Sequence, residues 1–218
     1  MATGMSLRHF LRDIMLTLMM AVKNGISDDA NVIRTIECVN GVVDMYMIGI
    51  DDRTTDDTRE CLDAIGIQHH DFEWPFNHSK ARNMMLEQIP SGTVLYLDAD
   101  ETLDADALIS LKMMMDQQKE DVSLQFKVLM FARKSFFDGK PDNLVSEGFP
   151  PYPDYQARVC PHTERMTENN PVHGGFARVH GILKGNILHF REWKYYERRE
   201  REYNECFDKA GKKPFLGN

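Results

Sequence analysis

The chain has 218 residues, of which 42% are hydrophobic, and its formal net charge at pH 7 is −8. This hydrophobic fraction can form a core, which excludes a disordered polypeptide, and the length is typical of one domain. The negative charge argues against broad electrostatic binding to nucleic acid or to an anionic membrane surface. The longest apolar run, residues 14–22, is far shorter than the roughly 20 residues of a membrane helix, so we expect no membrane span.

The same apolar run also differs from a secretory signal peptide. No small-residue cleavage site follows it, because the next residues are Lys23, Asn24 and Gly25. The cysteines show no CxxC spacing, so free buried thiols are favoured over disulfides or a zinc site. The four cysteines are Cys38, Cys61, Cys160 and Cys206. These features together predict a cytoplasmic protein.

The first half of the chain alternates between buried apolar runs and amphipathic segments. The apolar runs predict strands at residues 14–22, 42–50, 67–70 and 93–97. The amphipathic segments predict helices at residues 29–39, 56–65, 79–89 and 104–118. Ser27 or Asp28 is the expected cap of the first helix, and Thr55 is that of the second. This alternation predicts an α/β fold, with a Rossmann-like, mostly parallel sheet and helices on both of its faces.

The second half is less regular. A strand is predicted at 122–133, a long loop at 135–155, strands at 156–160 and 187–190, and a charged helix at 192–210. Acidic and basic residues alternate along this helix, which favours i,i+4 ion pairs on a solvated face over a surface that binds a polyanion. There is no repeat, low-complexity segment or clear linker, so we expect a single domain over residues 1–218.

Two acidic clusters follow predicted strands. Asp51-Asp52 comes after the second strand, and Asp98-Ala99-Asp100 comes after the fourth. Ligands of parallel α/β sheets bind at the carboxyl ends of the strands, and paired aspartates suit Mg²⁺ or Mn²⁺. Such an ion would remove the repulsion between neighbouring carboxylates and bridge phosphate oxygens. A solvated turn is the alternative, and it is favoured for an Asp-x-Asp motif taken alone.

Four motifs that occur in order along the chain favour a metal site over a solvated turn. They are MMAVKN at residues 19–24, IGIDDRTTDDT at 48–58, HSKARNMML at 78–86 and VLYLDADE at 94–101. In order and spacing they resemble glycosyltransferase family 2, whose members are nucleotide-sugar transferases with the GT-A fold. The resemblance implies a nucleotide-sugar-binding half at about residues 14–107 and an acceptor-side half at about residues 121–218.

The resemblance also implies roles for matching residues. Asp51 would contact the base of the nucleotide, Asp98 the ribose or the metal ion, and Asp100 would be a direct metal ligand. The implied nucleotide-binding set is Val22, Asp51, Arg82, Asn83, Asp98, Ala99 and Asp100. The chain departs from the family at Arg53 and Thr54, where glycine and serine are common, and this departure bears on the base preference.

The second half offers a further metal ligand and a general base. His189, in NILHF at residues 186–190, stands at a predicted strand end, where the family often has a metal-ligating histidine; a structural histidine is equally expected. The implied metal ligands are therefore Asp98, Asp100 and His189, with Mn²⁺ or Mg²⁺ as the ion. An inverting transferase also needs an acid that takes the proton of the acceptor hydroxyl. Glu147 is the first choice and Asp154 the second.

These inferences predict a metal-dependent, inverting glycosyltransferase that moves a sugar from a nucleotide-diphosphate donor, with a UDP-sugar favoured, to a hydroxyl acceptor. A non-catalytic module that binds a nucleotide or a glycan is the first alternative. A nucleotidyltransferase is the second, ranked lower because no glycine-rich loop accompanies the first strand. The acceptor stays open among a saccharide, a peptide, a lipid-linked glycan and a modified nucleic acid.

Overall fold

The computed structural model describes residues 15–26, 30–121, 127–137, 140–141, 152–172, 174–191 and 196–213. These residues contain nine strands and five helices. The strands are β1 (Leu16–Val22), β2 (Met45–Asp51), β3 (His69–Phe72), β4 (Thr93–Tyr96), β5 (Glu101–Leu103), β6 (Leu129–Phe137), β7 (Lys140–Pro141), β8 (Asp154–Pro161) and β9 (Gly181–Arg191). The helices are α1 (Val32–Val39), α2 (Thr58–Ala64), α3 (His78–Leu86), α4 (Ala105–Glu120) and α5 (Tyr196–Lys209).

All nine strands join in one sheet. Its order is β3-β2-β1-β4-β8-β6-β9-β5, and β7 pairs with β6. The first four strands of this order are mutually parallel, which confirms the predicted parallel α/β half. Strand β8 runs antiparallel to β4 and β6, and β5 runs antiparallel to β9, whereas β6 and β9 are parallel. The second half of the chain therefore makes the sheet mixed.

The predicted element bounds are least accurate in the second half. The strand predicted at 122–133 begins at Leu129 and continues through Phe137, and residues 122–126 lie outside the described residues. The predicted loop at 135–155 also contributes β7 and the first two residues of β8. Strand β5 follows the acidic turn and was not predicted, because three residues carry no periodic signal. It forms by pairing with β9.

Local side-chain bonds explain where three helices begin. Asn31, Asn77 and Asp104 precede α1, α3 and α4, and each accepts a hydrogen bond from the backbone N–H three residues later, at 2.9–3.0 Å. The predicted caps at residues 27 and 28 lie outside the described residues. The predicted cap Thr55 is wrong, because α2 begins later, at Thr58.

The register of the parallel strands brings their carboxyl ends to one edge of the sheet. Val22, the last residue of β1, pairs with Ile50, and Asp51, the next residue of β2, pairs with Phe72 at the end of β3. Strand β4 lies on the other side of β1. The acidic turns after β2 and β4 therefore lie along the same edge, which is where ligands of such sheets bind.

All four cysteines are free thiols, as the sequence predicts. Cys160 and Cys206 are buried, and burial raises the pKa of the Cys160 thiol, which makes it unreactive. In the described ranges, no helix is both long enough and apolar enough to span a lipid bilayer.

Candidate active site

The turn between β4 and β5 carries Asp98 and Asp100. The N–H of Glu101 donates to the carbonyl of Asp98 at 2.9 Å, and the N–H of Asp98 donates to the Glu101 carboxylate at 3.1 Å. From β9, the N–H of Phe190 donates to the carbonyl of Asp100 at 2.8 Å. The turn is thus held both by its own residues and by β9, so the two aspartates have defined directions.

Asp98 faces two arginines. Arg82 Nη2 lies 2.6 Å from Asp98 Oδ1, and Arg158 Nη2 lies 3.4 Å from Asp98 Oδ2. Burial raises the pKa of Asp98, but the two guanidinium groups outweigh this effect and hold the pKa well below its usual value. Asp98 is therefore ionised at neutral pH. The structure brings two of the predicted nucleotide-binding residues, Arg82 and Asp98, together.

A buried ion pair lies under this turn and was not predicted from the sequence. Arg158 donates from Nε and Nη2 to the two oxygens of Glu101, at 2.9 and 2.7 Å, and from Nη1 to the hydroxyl of Tyr96 at 2.8 Å. Both Glu101 and Arg158 are buried. Arg158 therefore links Glu101 to Asp98 and helps to orient the acidic turn. The available signals were the last acid of YLDADE and the arginine of the QAR segment in β8.

Asp100 faces a histidine and an arginine. Its Oδ2 lies 3.3 Å from His189 Nε2 and 3.0 Å from Arg199 Nη2. Burial raises the pKa of Asp100, but His189, Arg199 and Arg191 outweigh burial and hold the pKa well below its usual value. Burial lowers the pKa of His189, and its effect exceeds the opposite effect of Asp100. Asp100 is therefore ionised at pH 7.

The atoms of Asp100 and His189 fit a divalent metal ion. Ser135 Oγ lies 3.1 Å from His189 Nδ1, and Arg191 Nε donates to His189 Nε2 at 3.0 Å. The N–H of Arg191 places the proton of a neutral ring on Nδ1, and the lone pair of Nε2, which could ligate a metal, accepts this N–H in the structure. Adjacent ligands of an octahedral Mg²⁺ site, at about 2.1 Å from the ion, lie about 3.0 Å apart. The 3.3 Å between Asp100 Oδ2 and His189 Nε2 is close to that spacing.

The third predicted metal ligand has other partners. Asp98 is bound to its two arginines. In the part of the chain that the structure describes, no three or more histidine, cysteine, aspartate or glutamate side chains are grouped to hold a metal ion. Asp100 and His189, the other two predicted ligands, contact each other at 3.3 Å, and each also contacts an arginine. Magnesium sites with one or two carboxylates complete their shell with substrate phosphates and water.

Asp51, at the end of β2, is bound by its neighbour Arg53. The backbone N–H and Nε of Arg53 each donate to Asp51 Oδ1 at 2.9 Å, and Nη2 donates to Oδ2 at 2.7 Å. Burial raises the pKa of Asp51, but the bonds from Arg53 outweigh burial and lower the pKa. The predicted base-contacting carboxylate is therefore ionised and already has donors on both oxygens.

The other predicted nucleotide-binding residues have partners within the protein. Asn83 Oδ1 accepts from the N–H of Met166 at 2.9 Å, and its Nδ2 donates to the Met166 carbonyl at 3.0 Å and to Glu168 at 2.8 Å. The carbonyl of Ala99 accepts a backbone N–H from the start of α1 at 2.9 Å. Val22 is buried. The contacts of Asn83 join α3 to the segment at residues 166–168.

Of the two predicted general bases, Asp154 lies in the described part of the chain and Glu147 lies outside it. Arg133 contacts Asp154 Oδ2 through Nε at 2.8 Å, and Gln156 Nε2 donates to Oδ1 at 2.7 Å. Arg133 also lies 3.9 Å from Glu101. Asp154 is therefore connected to the buried ion pair, and its role as a base stays a prediction.

Helix α5 contacts the carboxyl edge of the sheet, and three of its charged side chains pair with residues of that edge, where the sequence predicted i,i+4 pairs along the helix; of the three, Glu205 stays 47% exposed. Each of the three pairs with a residue that follows a different parallel strand. Helical periodicity could not reveal these partners, because they lie far away in the sequence. The three pairs are Arg199 with Asp100 at 3.0 Å, Glu202 with Lys23 at 2.8 Å, and Glu205 with Arg53 at 3.5 Å.

Solved structures show the same architecture. TarS of S. aureus matches with a TM-score of 0.54 at 11% identity, over 88% of this chain and 38% of TarS. TarS 1–349 in complex with UDP matches with a TM-score of 0.51 at 10% identity, over 88% of this chain and 65% of that one. Glucosyl-3-phosphoglycerate synthase from Mycobacterium tuberculosis, in complex with Mn²⁺, UDP-glucose and phosphoglyceric acid, matches with a TM-score of 0.52 at 13% identity. The match covers 99% of this chain and 87% of the synthase chain. This chain thus spans less than half of TarS.

These likenesses establish the fold, which is that of the GT-A glycosyltransferases. The model of glycosyl transferase family 2 matches residues 20–182, well over half of the chain. The chain therefore belongs to glycosyl transferase family 2, and the resemblance seen in its four motifs is confirmed. Among curated proteins, no match is found.

Proposed function

We propose that this chain is a metal-dependent, inverting glycosyltransferase that transfers a sugar from a UDP-sugar to a hydroxyl acceptor. Family membership supports sugar transfer. The matching structure of TarS 1–349 contains UDP and that of the mycobacterial synthase contains UDP-glucose, which supports the choice of nucleotide. The observation that carries the proposal is the pair of Asp100 and His189, whose Oδ2 and Nε2 atoms lie 3.3 Å apart at the carboxyl edge of the sheet.

In this proposal, Asp100 and His189 hold Mn²⁺ or Mg²⁺. Ser135 fixes the ring of His189 through Nδ1, as outer partners of metal-ligating histidines do. When bound, the ion stabilises the negative charge that develops on the diphosphate leaving group. The two arginines at Asp98 keep that carboxylate ionised and oriented, so that its remaining lone pairs accept a hydrogen bond from a ribose hydroxyl of the donor.

The transfer also needs a base for the acceptor hydroxyl. Glu147 is the first candidate and Asp154 the second. In an inverting displacement the acceptor attacks the anomeric carbon on the face opposite the leaving diphosphate, so the base acts on the other side of the sugar from the metal. The variants Glu147→Gln and Asp154→Asn separate the two candidates. Replacing the residue that acts as the base should abolish transfer, whereas donor binding should persist.

Binding without catalysis is a second candidate function. One observation favours it: each of the three aspartates that the resemblance assigns to donor or metal binding already has an arginine partner within the chain. A site of this kind would hold a nucleotide or a glycan without turnover. The pairs are Asp51 with Arg53, Asp98 with Arg82, and Asp100 with Arg199.

Calorimetric titration of UDP, with GDP as the comparison nucleotide, tests the proposal in Mn²⁺ and then in EDTA. We expect UDP binding to require the metal. We expect Asp100→Asn to weaken it by more than about tenfold, a loss that even outer-shell changes produce in metal affinity. Asp116→Asn is the matched control, because Asp116 is exposed on α4 and pairs with Lys119 at 2.7 Å. UDP binding that is equally strong in EDTA would contradict the metal site.

Product analysis then separates the candidate functions. Sugar transfer with release of a nucleoside diphosphate, and an inverted anomeric configuration by NMR, is the expected result. Nucleotide binding with no turnover across a panel of donors and acceptors would instead support the binding module. Release of pyrophosphate would indicate nucleotidyl transfer.

A further inference from the structure

The side chain of Arg53 covers the carboxylate of Asp51. Arg53 donates from Nε to Oδ1 at 2.9 Å and from Nη2 to Oδ2 at 2.7 Å, which is the two-point geometry that arginine forms with carboxylates. The side chain of Asp51 is 3% exposed and that of Arg53 is 31% exposed. A ligand that approaches the end of β2 therefore meets the guanidinium group and not the carboxylate.

Two aromatic rings and a second acid keep the guanidinium group of Arg53 in this position. Its central carbon lies 5.3 Å from the ring centroids of both Trp74 and Phe76. Phe76 has a φ of 52°, a left-handed conformation that bulky residues rarely adopt. Arg53 Nη1 lies 3.5 Å from Glu205 of α5. Contacts on several sides thus hold the guanidinium group over Asp51 at the end of β2.

The position of Arg53 changes which hydrogen-bonding groups of a nucleobase can bind at the end of β2. A carboxylate accepts hydrogen bonds, so an open Asp51 would select a base that presents an N–H, such as the imide N–H of uracil. A guanidinium group only donates hydrogen bonds, so it cannot accept one from a base. While Arg53 occupies both oxygens of Asp51, the imide N–H of uracil finds no acceptor there.

We infer that Arg53 determines the nucleobase selectivity of this transferase: with Arg53 on Asp51, the site binds a pyrimidine nucleotide without recognising the hydrogen at ring position 3. Glycine, common at this position in the family, has no side chain that could cover the carboxylate. The inference rests on the proposed function, because it requires the base of the donor to lie at the end of β2.

Titrations with UDP and 3-methyl-UDP, in which a methyl group replaces the imide hydrogen, test the inference in Mn²⁺. For the wild-type chain we expect the two dissociation constants to agree within about threefold. One hydrogen bond to a charged group would change the dissociation constant by more than this. In Arg53→Ala the carboxylate of Asp51 is open. UDP should then bind about tenfold or more tightly than 3-methyl-UDP.

Arg59→Ala is the matched control. Arg59 contacts Asp71 Oδ1 through Nε at 3.0 Å and Nη2 at 2.7 Å, and its Nη1 donates to the Thr54 carbonyl at 3.2 Å. The variant therefore also loses an arginine–aspartate pair near the end of β2, on a carboxylate that is more exposed. This variant should keep the wild-type ratio of the two affinities. A merely structural role of Arg53 would change both affinities together and leave their ratio unchanged.

Two results would overturn the inference alone. One is a preference of the wild-type chain for UDP over 3-methyl-UDP of more than about tenfold, since Asp51 would then contact the base despite Arg53. The other is an unchanged ratio in Arg53→Ala. In both cases metal-dependent UDP binding leaves the proposed function standing. If neither the wild-type chain nor the variant binds UDP while circular dichroism shows folded protein, the proposed function fails and the inference fails with it.

Discussion

Replacing Arg158 by methionine tests how much the buried ion pair contributes to stability. The change removes two N–H donors from Glu101, at 2.9 and 2.7 Å, and one from the hydroxyl of Tyr96, at 2.8 Å. The side chain of Glu101 has no exposed surface, so water cannot replace the lost donors without opening the structure. Arg133, 3.9 Å from Glu101, is close enough to compensate only part of the loss.

Removing one partner of a buried ion pair costs about 3–5 kcal/mol, because the other charge stays buried without compensation. We therefore expect Arg158→Met to lower the free energy of unfolding by about 4 kcal/mol. Domains have free energies of unfolding of about 5–15 kcal/mol, so this loss is a large fraction of the total.

Urea unfolding followed by circular dichroism measures the loss. Adding Glu101→Leu to Arg158→Met replaces the ion pair by two apolar side chains, and we expect it to restore most of the lost stability. Arg59→Met removes a partner of Asp71, whose side chain is 58% exposed, and should cost less than about 1 kcal/mol. The reasoning is refuted if Arg158→Met costs no more than this control, or if the double variant is as unstable as the sum of both single variants.

Two further predictions concern pH and backbone conformation. The pKa of Asp51 is lowered in the folded protein, so its stabilising effect is complete above the unfolded value of about 3.9 and is lost as pH falls below it. Thermal melts should show a weaker loss of stability below about pH 4 for Asp51→Asn than for the wild-type chain; equal losses would contradict the effect of Arg53. Gly185 has a φ of +97°, and an added Cβ would lie 2.1 Å from the backbone nitrogen of Ala107. Gly185→Ala should therefore cost more than about 2 kcal/mol in urea unfolding. Gly41→Ala, at a φ of +78° in open space, should cost about 1 kcal/mol, and equal costs would show that the close contact is unimportant.

The parallel half of the sheet was predictable because its signals are local. The apolar runs that form β1, β2 and β4 are short and bounded by turn residues, and α4 follows an aspartate that caps it. Parallel strands joined by helices end on the same edge, so the sequence alone predicts that the two acidic clusters lie along one edge.

The electrostatic partners of those acids were not predictable in the same way. Arg158 lies 57 positions from Glu101, and Arg199 lies 99 positions from Asp100. No periodic pattern in the sequence indicates either pair, because an ion pair depends on the distance between two side chains in space and not on their spacing along the chain. The placement of α5 was misjudged for the same reason, since its acidic and basic residues also satisfy a helix-surface pattern.

The family, the alternation of strands and helices in the first half, and the acidic turns at the strand ends could all be predicted from the sequence. All three follow from contiguous residues, whose periodicity, caps and motifs act over a few positions. Three other features depend on tertiary packing: Asp100 contacts His189, Arg53 covers Asp51, and α5 contacts the carboxyl edge. Asp100 meets His189 and α5 only after the second half of the chain has packed on the parallel sheet. Arg53 could rotate away into solvent, and packing against Trp74, Phe76 and Glu205 holds it on Asp51.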